Sequence, residues 1–403
     1  MKKKREILEK IKKGLFLFYP VLLILEPKIA NNFIIFLLLI LVLGNVYLNK
    51  KFVCTFYEKT MLFFMATLCI SVIFKNTDVG NGFIMIKRHF RWLILPTLLG
   101  QLNIDKKDIK YLIFSIFLGI IGFLYRIIIE MLNLKGKDMS WSNFLTSTLN
   151  WNHRYLGDYG YAQSSLVLGV TFLILLYLAL MIKDKKNRIF LLIFSVISLI
   201  LMLFTQVRGM FIAVFILIIL LTILVKEKIF RRIVIVTFLI SLTIGIKFSN
   251  SNYINRYENI GRDTSSLARV EVYKEAFRIF NNNKLNGIGF EGFIKAQDKN
   301  NYKYLDMYYH PHNLTLKLLS ETGIIGFMGY YLFITSIFLA LWKEYKNNNR
   351  YSLIGIITLL TLFIYENTDI IFVTVSALPY IFFIIGISLN SVYKKRLFLL
   401  KEK

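Results

Sequence analysis

His312 is the residue of this chain whose setting best suits proton transfer. It follows Pro311, which favours the first position of a helix and disfavours a helical conformation in the residue before it. The sequence therefore predicts a helix from Pro311 to Thr322, with Gly323 as its C-terminal cap. The dipole of the first helical turn opposes a positive imidazole. We therefore expect His312 to stay neutral near pH 7 and to be able to act as a general base.

Two other interpretations of the histidines stay open at this point. An interfacial histidine often only caps a helix or hydrogen-bonds locally, and spacing does not separate that role from catalysis. His310 and His312 could also bind a metal ion. However, two histidines one residue apart point away from each other on a helix, and no cysteine, third histidine or acidic cluster adds further ligands. We therefore expect no metal site and no cofactor.

Two arginines are predicted near helix N-termini on the same side of the protein. Arg208 precedes Gly209 at the start of an apolar stretch, and Arg269 falls in the first turn of a helix predicted to begin at 264–266. Helix N-termini and guanidinium groups both favour phosphate oxygens. Together with the His312 turn, these elements predict an anion site suited to a diphosphate. At each of these positions an arginine more commonly has only a structural role, with its side chain in water or among lipid headgroups.

The composition places these residues in a membrane protein. The chain has 403 residues, of which 56% are hydrophobic and 18% charged, a balance that excludes a disordered chain and an ordinary water-soluble enzyme. A membrane-spanning helix needs about 20 apolar residues. The sequence therefore predicts an all-α, polytopic membrane helix bundle with about 12 transmembrane helices, at 14–26, 30–48, 60–74, 83–102, 111–133, 161–182, 189–205, 209–225, 230–247, 323–342, 352–366 and 370–390.

The basic residues that produce the formal net charge of +26 lie mostly on one predicted side of the membrane. If residues 1–13 are cytoplasmic, the segments on that side carry 29 basic against 9 acidic residues, a surplus of +20. Cytoplasmic loops of membrane proteins are enriched in lysine and arginine. The membrane topology therefore accounts for most of the positive charge, and no nucleic-acid partner is needed to explain it. Both termini are expected in the cytoplasm, and the predicted organisation is spans 1 to 9 in 1–247, an extracytoplasmic loop domain at 248–322 and spans 10 to 12 in 323–403.

The loop 248–322 is expected to fold into a small lid. Its predicted helix carries the apolar residues Leu267, Val270, Tyr273, Phe277 and Phe280, and it should lie on the membrane surface or over the mouth of the bundle. The pairs Glu271/Lys274 and Glu275/Arg278 are expected on its wet face. The segment 286–290 is predicted to be a tight Gly-x-Gly turn. A second outward loop covers 134–160.

These residues together resemble the O-antigen ligase family of integral membrane glycosyltransferases, which also contains O-antigen polymerases and protein O-oligosaccharyltransferases. The strongest match is His312-Asn313, nine residues, then Gly323-Ile324-Ile325-Gly326, which is similar to the ligase signature of His, Asn/Ser/Gln, nine residues, then Gly-x-x-Gly. Arg208-Gly209 and Arg269 supply the second and third matches. The resemblance covers roughly 190–390. One departure is Val207, where many members have serine.

The resemblance implies a bacterial protein of the cytoplasmic (inner) membrane that moves a glycan from undecaprenyl diphosphate to a lipid A-core hydroxyl at the periplasmic face. It implies no metal ion, with Arg208 and Arg269 holding the diphosphate and stabilising the leaving group, and His312 taking the proton of the attacking hydroxyl. The expected partners are the lipid-linked glycan donor, the lipid A-core or another glycan acceptor, and membrane lipids. Further candidate substrate-binding or docking residues are Asn313, His310, Arg154, Tyr309, Trp151, Tyr155, Tyr302, Tyr304 and Tyr308.

Two alternatives remain. A polysaccharide polymerase would use the same donor with another lipid-linked glycan as acceptor, and the sequence separates it poorly from a ligase. A glycolipid flippase or other transporter should keep charged or broken helices near the bilayer midplane. Arg126 is the main intramembrane charge in this chain, with Glu130 four residues on at a spacing that suits an ion pair.

Overall fold

The computed structural model describes the chain in segments. These are residues 2–25, 38–44, 46, 52–75, 79–102, 104–135, 161–205, 207–224, 232, 264–298, 302, 305, 309–372 and 377–399. The predicted span 230–247 and most of the predicted span 30–48 lie outside the described residues, as does the loop 134–160 apart from its first two residues. The side chains of Arg126 and Glu130 lie outside them as well.

Thirteen helices and no strand occur in these described segments. The predicted all-α class is confirmed. The helices are α1 Lys2–Leu25, α2 Phe56–Lys75, α3 Val79–Leu93, α4 Leu95–Gly100, α5 Lys106–Lys135, α6 Tyr161–Met181, α7 Lys185–Phe204, α8 Arg208–Leu224, α9 Thr264–Asn282, α10 Phe293–Ala296, α11 Leu314–Lys346, α12 Ser352–Glu366 and α13 Leu378–Leu399.

Five described helices are long and apolar enough to cross a membrane. They contain the segments Phe56–Phe74, Lys107–Tyr125, Ala162–Met181, Lys185–Leu203 and Leu314–Lys346. Two shorter apolar helices, Arg208–Leu224 and Ser352–Glu366, accompany them. Within lipid, every backbone N–H and C=O needs a hydrogen-bond partner inside the protein. An apolar helix supplies these partners and presents apolar side chains to the lipid. The protein is a membrane protein of the helix-bundle type.

Local sequence explains where several helices begin. Asp184 is the N-cap of α7, where its side chain accepts a hydrogen bond from Asn187 N. Pro96 lies in the first turn of α4, immediately after α3 ends at Leu93. Asn313 is the N-cap of α11, with its side chain accepting from Leu316 N at 3.0 Å. The last of these caps fixes the start of the helix that follows His312.

The helix α11 is central to the bundle, since it packs against α2, α9, α12 and α13. Aromatic side chains fill the contact, with Phe64 of α2 stacked on Phe333 at 6.0 Å between ring centroids and Phe333 stacked on Phe382 of α13 at 6.2 Å. Hydroxyl groups pair across the bundle, with Thr60 Oγ1 lying 2.8 Å from Ser336 Oγ. Such interhelical hydrogen bonds replace the hydrophobic driving force that lipid removes.

One end of the bundle carries several lysine and arginine residues. The helix α11 ends with Lys343 and Lys346 in its last turn, and the chain turns back through 347–351 into α12. We call the end that carries Lys343, Lys346, Arg350 and Lys394 the basic end. At the opposite end Thr315 Oγ1 donates to Asn367 Oδ1 at 2.9 Å, so the start of α11 and the end of α12 lie side by side. The predicted site residues lie at that opposite end.

Candidate functional site

His312 faces a carboxylate at the end of α12. Its Nδ1 lies 2.9 Å from Asp369 Oδ1. The His312 side chain is 25% exposed and that of Asp369 15%, so the imidazole can be reached from solvent while the carboxylate is mostly covered. Asp369 Oδ1 also accepts from its own chain at Ile370 N, at 2.9 Å. This arrangement orients the imidazole.

The backbone around His312 differs from the prediction. The helix begins at Leu314 and not at Pro311, so His312 and Asn313 lie before its first turn. Asn313 caps the helix, and its Nδ2 donates to Asn367 O at 3.1 Å, which ties the cap to the Asp369 loop. His312 has φ 49°, in the left-handed region that non-glycine residues rarely adopt. The contacts of Asn313 and Asp369 hold this conformation.

Gly323 lies inside the long helix and not at its end. The predicted C-terminal cap is wrong: φ is positive at 63°, but ψ is −167° and not that of a left-handed cap, and the helix resumes at once on the other side of the kink. The N–H groups of Ile324 and Ile325 donate to Lys284 O and Leu285 O. A Cβ on Gly323 would lie 2.2 Å from Leu285 O, so only glycine fits this approach.

The Gly-x-Gly segment forms the predicted tight turn, with positive φ at Gly287 and Gly289. Ile288 N donates to Ser320 O at 3.1 Å and Gly289 N to Glu321 O at 2.8 Å. The turn therefore satisfies carbonyl groups that the kink in α11 leaves without helical partners. These contacts attach the loop that carries α9 to the helix that begins after His312.

Arg269 lies in α9, in its second turn and not its first, because the helix already begins at Thr264. The guanidinium is half-buried, and its Nε is buried without a hydrogen-bond partner among the described residues. Burial acts to raise the pKa of Asp369, but the hydrogen bond and electrostatic interaction with His312 and the positive charge of Arg269 outweigh it and lower that pKa. Arg269 is therefore near enough to act on the carboxylate that orients His312.

The face that α9 buries consists mainly of small and branched apolar residues. Val272, Ala276 and Ile279 are buried in a small core that also includes Phe293 and Leu305. Ala268, on the same helix, is buried as well. The larger predicted apolar residues Leu267, Val270 and Phe277 are exposed. The predicted pair of Glu275 with Arg278 is present at 2.6 Å, but Glu275 is fully buried and not on a wet face.

Arg208 is the first residue of α8, as the Arg-Gly pattern predicts. The next residue, Gly209, lies against the loop that carries Asp369. A Cβ on Gly209 would lie 2.1 Å from Thr368 Oγ1 and 3.4 Å from Tyr365 Cε2. Glycine therefore allows the N-terminus of α8, with its half-buried Arg208, to approach the residue next to Asp369. Val207, the departure from the family pattern, is buried.

Asp369 and its loop are thus the common contact of the elements that carry the predicted site residues. His312 bonds to it, the charge of Arg269 acts on it, and Gly209 packs on its neighbour Thr368. Sequence reasoning missed Asp369. The available signal was the polar run 366–369 at the end of an apolar stretch, but nothing in the spacing connected it with a histidine 57 residues earlier.

The other predicted substrate-binding residues differ in burial, and some of them lie outside the described residues. Burial, followed by the Lys317 charge, lowers the pKa of His310 to about 3, so His310 is neutral near pH 7. Tyr309 is exposed. Tyr302 is half-buried against the core of the outward loop. Arg154, Trp151, Tyr155, Tyr304 and Tyr308 lie outside the described residues.

A buried ion triad lies beneath the Gly-x-Gly turn. Lys317 Nζ lies 2.7 Å from Glu321 Oε2 and 3.1 Å from Glu291 Oε1, and the lysine is fully buried. Glu291 N donates to Glu321 Oε2 at 2.9 Å. Burial acts to raise the pKa of Glu291, but the Lys317 ammonium outweighs it and lowers that pKa. The triad joins the turn after α9 to α11, so it fixes Arg269 relative to the His312 helix. Sequence reasoning missed it, because the glutamates and the lysine meet only in the fold.

The fold and the site together define an integral membrane protein with an acid–base pair and arginines at one end of a helix bundle. The described residues contain no group of three or more His, Cys, Asp or Glu that could hold a metal ion. The O-antigen ligase family model matches residues 193–331 of this chain. This match supports the resemblance drawn from the sequence, and it supports a glycosyltransferase of the O-antigen ligase/polymerase type. The matched range includes Arg208, Arg269 and His312, while Asp369 lies beyond it. No curated protein matches the chain.

Proposed function

We propose that this protein transfers a glycan from undecaprenyl diphosphate to a hydroxyl of lipid A-core, at the periplasmic face of the bacterial cytoplasmic membrane. The observation that carries the proposal is the contact of His312 with Asp369, on which the charge of Arg269 acts. The buried Nε–H of Arg269 has no hydrogen-bond partner among the described residues. In the proposed organisation, residues 1–247 and 323–403 form the membrane spans and 248–322 the periplasmic loop domain. Both termini then lie in the cytoplasm.

His312 is the proposed general base. When the imidazole is neutral, its Nδ1–H donates to Asp369, so the lone pair is on Nε2. Nε2 can then take the proton of the acceptor hydroxyl, a contribution of typically 10² to 10⁴ in rate. The low pKa of Asp369 keeps this orienting group a carboxylate at neutral pH. Asp369 is a positioning residue, because it acts through His312.

Arg208 and Arg269 are the proposed diphosphate ligands. The Nε–H of Arg269 is buried and has no partner in the described part of the chain. An unpaired buried donor costs about 1 to 3 kcal/mol, a cost that an oxygen of a bound anion would remove. Arg208 is at the N-terminus of α8, where the helix dipole adds to the attraction. Fixed donors aimed at developing charge are usually the largest single source of catalysis.

The proposed reaction balances in one displacement. The acceptor oxygen forms a bond to the anomeric carbon of the glycan, and the bond from that carbon to the diphosphate oxygen breaks. The electron pair leaves with undecaprenyl diphosphate, whose charge the two arginines stabilise. The acceptor proton goes to His312 Nε2. The proposal keeps Asn313, His310, Tyr309 and Arg154 as substrate-binding residues and assigns no metal or other cofactor.

A reconstituted assay tests this function. Full-length protein in proteoliposomes is given a lipid-diphosphate glycan and a lipid A-core acceptor, and product is measured for wild type, His312→Ala, Arg208→Lys and Arg269→Lys. We expect all three variants to lose most of their turnover. His312→Ala removes the base, and each arginine-to-lysine change removes the bidentate contact of a guanidinium with phosphate. Near-normal transfer by His312→Ala would end the general-base assignment. Loss of activity on adding EDTA would contradict the metal-free proposal.

A polymerase is the second candidate, since the matched family supports a ligase/polymerase type. It would use the same arginines and the same base with a lipid-linked glycan as acceptor. A deletion strain separates the two. Loss of a ligase leaves the acceptor without glycan while long carrier-linked chains accumulate, whereas loss of a polymerase leaves single repeats.

A further inference from the structure

An apolar cavity lies near the basic end of the bundle, away from the candidate site. Its volume is about 230 Å³, and it is bounded by α5, α6, α12, α13 and the turn before α12. The helix α12 connects the two ends of the bundle and has 15 residues, which span about 22 Å at 1.5 Å per residue. The cavity is therefore distinct from the His312 site.

The wall of this cavity is apolar along most of its length and polar at one end. The apolar wall consists of Ile109, Leu112, Ile113, Ile116, Ile174, Leu178, Ile354, Ile384 and Ile387. Asn349, Ser391 and Lys394 are the polar groups nearest the basic end. On α13 the lining runs from Ile384 to Lys394, a rise of about 15 Å. A cavity that is apolar along most of its length and polar at one end fits an amphiphile and not a sugar.

Two polar groups in this wall, Ser391 and Lys394, make fewer polar contacts than their neighbours in the described part of the chain. Ser388 Oγ donates to Ile384 O, and Asn390 Nδ2 donates to Leu99 O and Leu102 O. By contrast, Ser391 Oγ is buried without a hydrogen-bond partner among the described residues. An unpaired buried hydroxyl is unfavourable unless a ligand oxygen or another acceptor reaches it.

Lys394 is the second such group. Its Nζ donates to Ile104 O, which uses one of its three N–H donors. In the described part of the chain, no carboxylate oxygen lies within 4.0 Å of this Nζ. Its neighbour Lys12 differs, because it lies 2.8 Å from Glu9 and 3.0 Å from Asp108. Asp105 and Asp108 are near enough to act on the Lys394 charge, but neither carboxylate contacts it directly.

We propose that this cavity binds one acyl chain of an anionic phospholipid, with the phosphate at Lys394 and an ester carbonyl accepting from Ser391. Without a ligand, the apolar cavity would stay empty within the bilayer. A lipid acyl chain can fill it without giving up contacts with water, because the chain already lies in hydrocarbon. The ammonium of Lys394, which no carboxylate of the described residues contacts directly, selects an anionic headgroup over a zwitterionic one. The site does not depend on the proposed glycan transfer.

Native mass spectrometry of the full-length protein tests this site. The probes are dioleoyl phosphatidylglycerol and dioleoyl phosphatidylcholine, titrated separately. Leu112→Trp fills the cavity, and Leu118→Trp, on the same helix at a position 39% exposed, is its control. Lys394→Gln removes the charge, and Lys186→Gln at an exposed position near the start of α7 is its control.

We expect wild type to retain one phosphatidylglycerol and to bind phosphatidylcholine at least about fivefold more weakly. Leu112→Trp should reduce retention of phosphatidylglycerol about tenfold or more, and Lys394→Gln about fivefold, while both controls behave as wild type. Equal binding of the two lipids by wild type, or wild-type retention by Leu112→Trp or Lys394→Gln, would overturn the proposal. If Leu112→Trp melts far below wild type, Ile113→Phe replaces it with the same expected loss.

Discussion

Asp369 Oδ1 lies 2.9 Å from His312 Nδ1, although 57 residues separate the two in the chain. The contact joins the end of α12 to the turn before α11, and the neighbouring Asn313 and Asn367 hold the same two segments together at 3.1 Å. A histidine held in this way presents one defined nitrogen to a substrate. The activity of the site should therefore depend on a residue that touches no substrate.

Replacing Asp369 by asparagine should lower kcat by roughly 10² to 10⁴ with little change in KM, because an amide can hold the imidazole in the wrong tautomer. Steady-state transfer in proteoliposomes measures both constants. Asp184→Asn is the matched control, since Asp184 caps α7 at the basic end and asparagine caps a helix equally well. Unchanged kcat for Asp369→Asn would remove Asp369 from the mechanism.

Arg269→Lys should raise the KM for the lipid-diphosphate donor and lower kcat, together reducing kcat/KM by roughly tenfold or more, because an ammonium cannot reproduce the two-pronged contact of a guanidinium with phosphate. Arg278→Lys on the same helix is the control, because Arg278 is paired with Glu275 and its side chain is 41% exposed. The assay varies the donor at a fixed acceptor concentration. Equal kinetics for the two variants would argue against a special role for Arg269.

Gly209→Ala should abolish most activity while leaving the protein folded. The added methyl would lie 2.1 Å from Thr368 Oγ1, so α8 and the Asp369 loop must separate. Gly14→Ala is the control, because nothing lies within 4 Å of its added Cβ. Activity and melting temperature are measured for both, and the pairing of Gly209→Ala with Thr368→Gly should restore part of the transfer. A fully active Gly209→Ala would mean that close approach at this point is not required.

The fold class and the motif residues could be predicted from the sequence, because apolar stretches, the His-Asn/Gly-x-x-Gly spacing and the Arg-Gly pair are local patterns. The start of α11 was misplaced, because the Asn313 side-chain cap outweighs the preference of Pro311 for the first helical position. Asp369 and the Lys317 triad could not be predicted. Both depend on contacts between elements far apart in the chain, and single aspartates or glutamates in a sequence carry no sign of their partners.

Lys317→Met should destabilise the fold, because it leaves Glu291 and Glu321 as buried carboxylates without a counter-charge. Breaking a buried ion pair in this way costs about 3 to 5 kcal/mol. The measurement is the melting temperature in detergent, with the exposed Lys284→Met as control. Lys317→Met combined with Glu321→Gln should recover part of the loss. A melting temperature equal to wild type would show that the triad does not hold the turn.

The stability of the protein should fall as the pH falls from about 6.5 toward 3, in part because of His310. Its pKa in the fold is lowered from 6.5 to about 3, so the unfolded chain binds a proton in this window and the folded chain does not. His310→Gln should therefore lose less stability than wild type between pH 6.5 and pH 4. Thermal melts across that range provide the comparison, with Tyr309→Phe as the neighbouring control. Parallel pH curves for His310→Gln and wild type would contradict the expectation.

The most direct test of the central claim is a double-mutant cycle on His312 and Asp369, measured as kcat for glycan transfer in proteoliposomes. Asp369 acts through His312 in this account, so Asp369→Asn should slow wild type strongly and should change His312→Ala little. If Asp369→Asn instead reduces kcat by the same factor in both backgrounds, the two residues act independently and the proposed base and its orienting carboxylate do not form one unit.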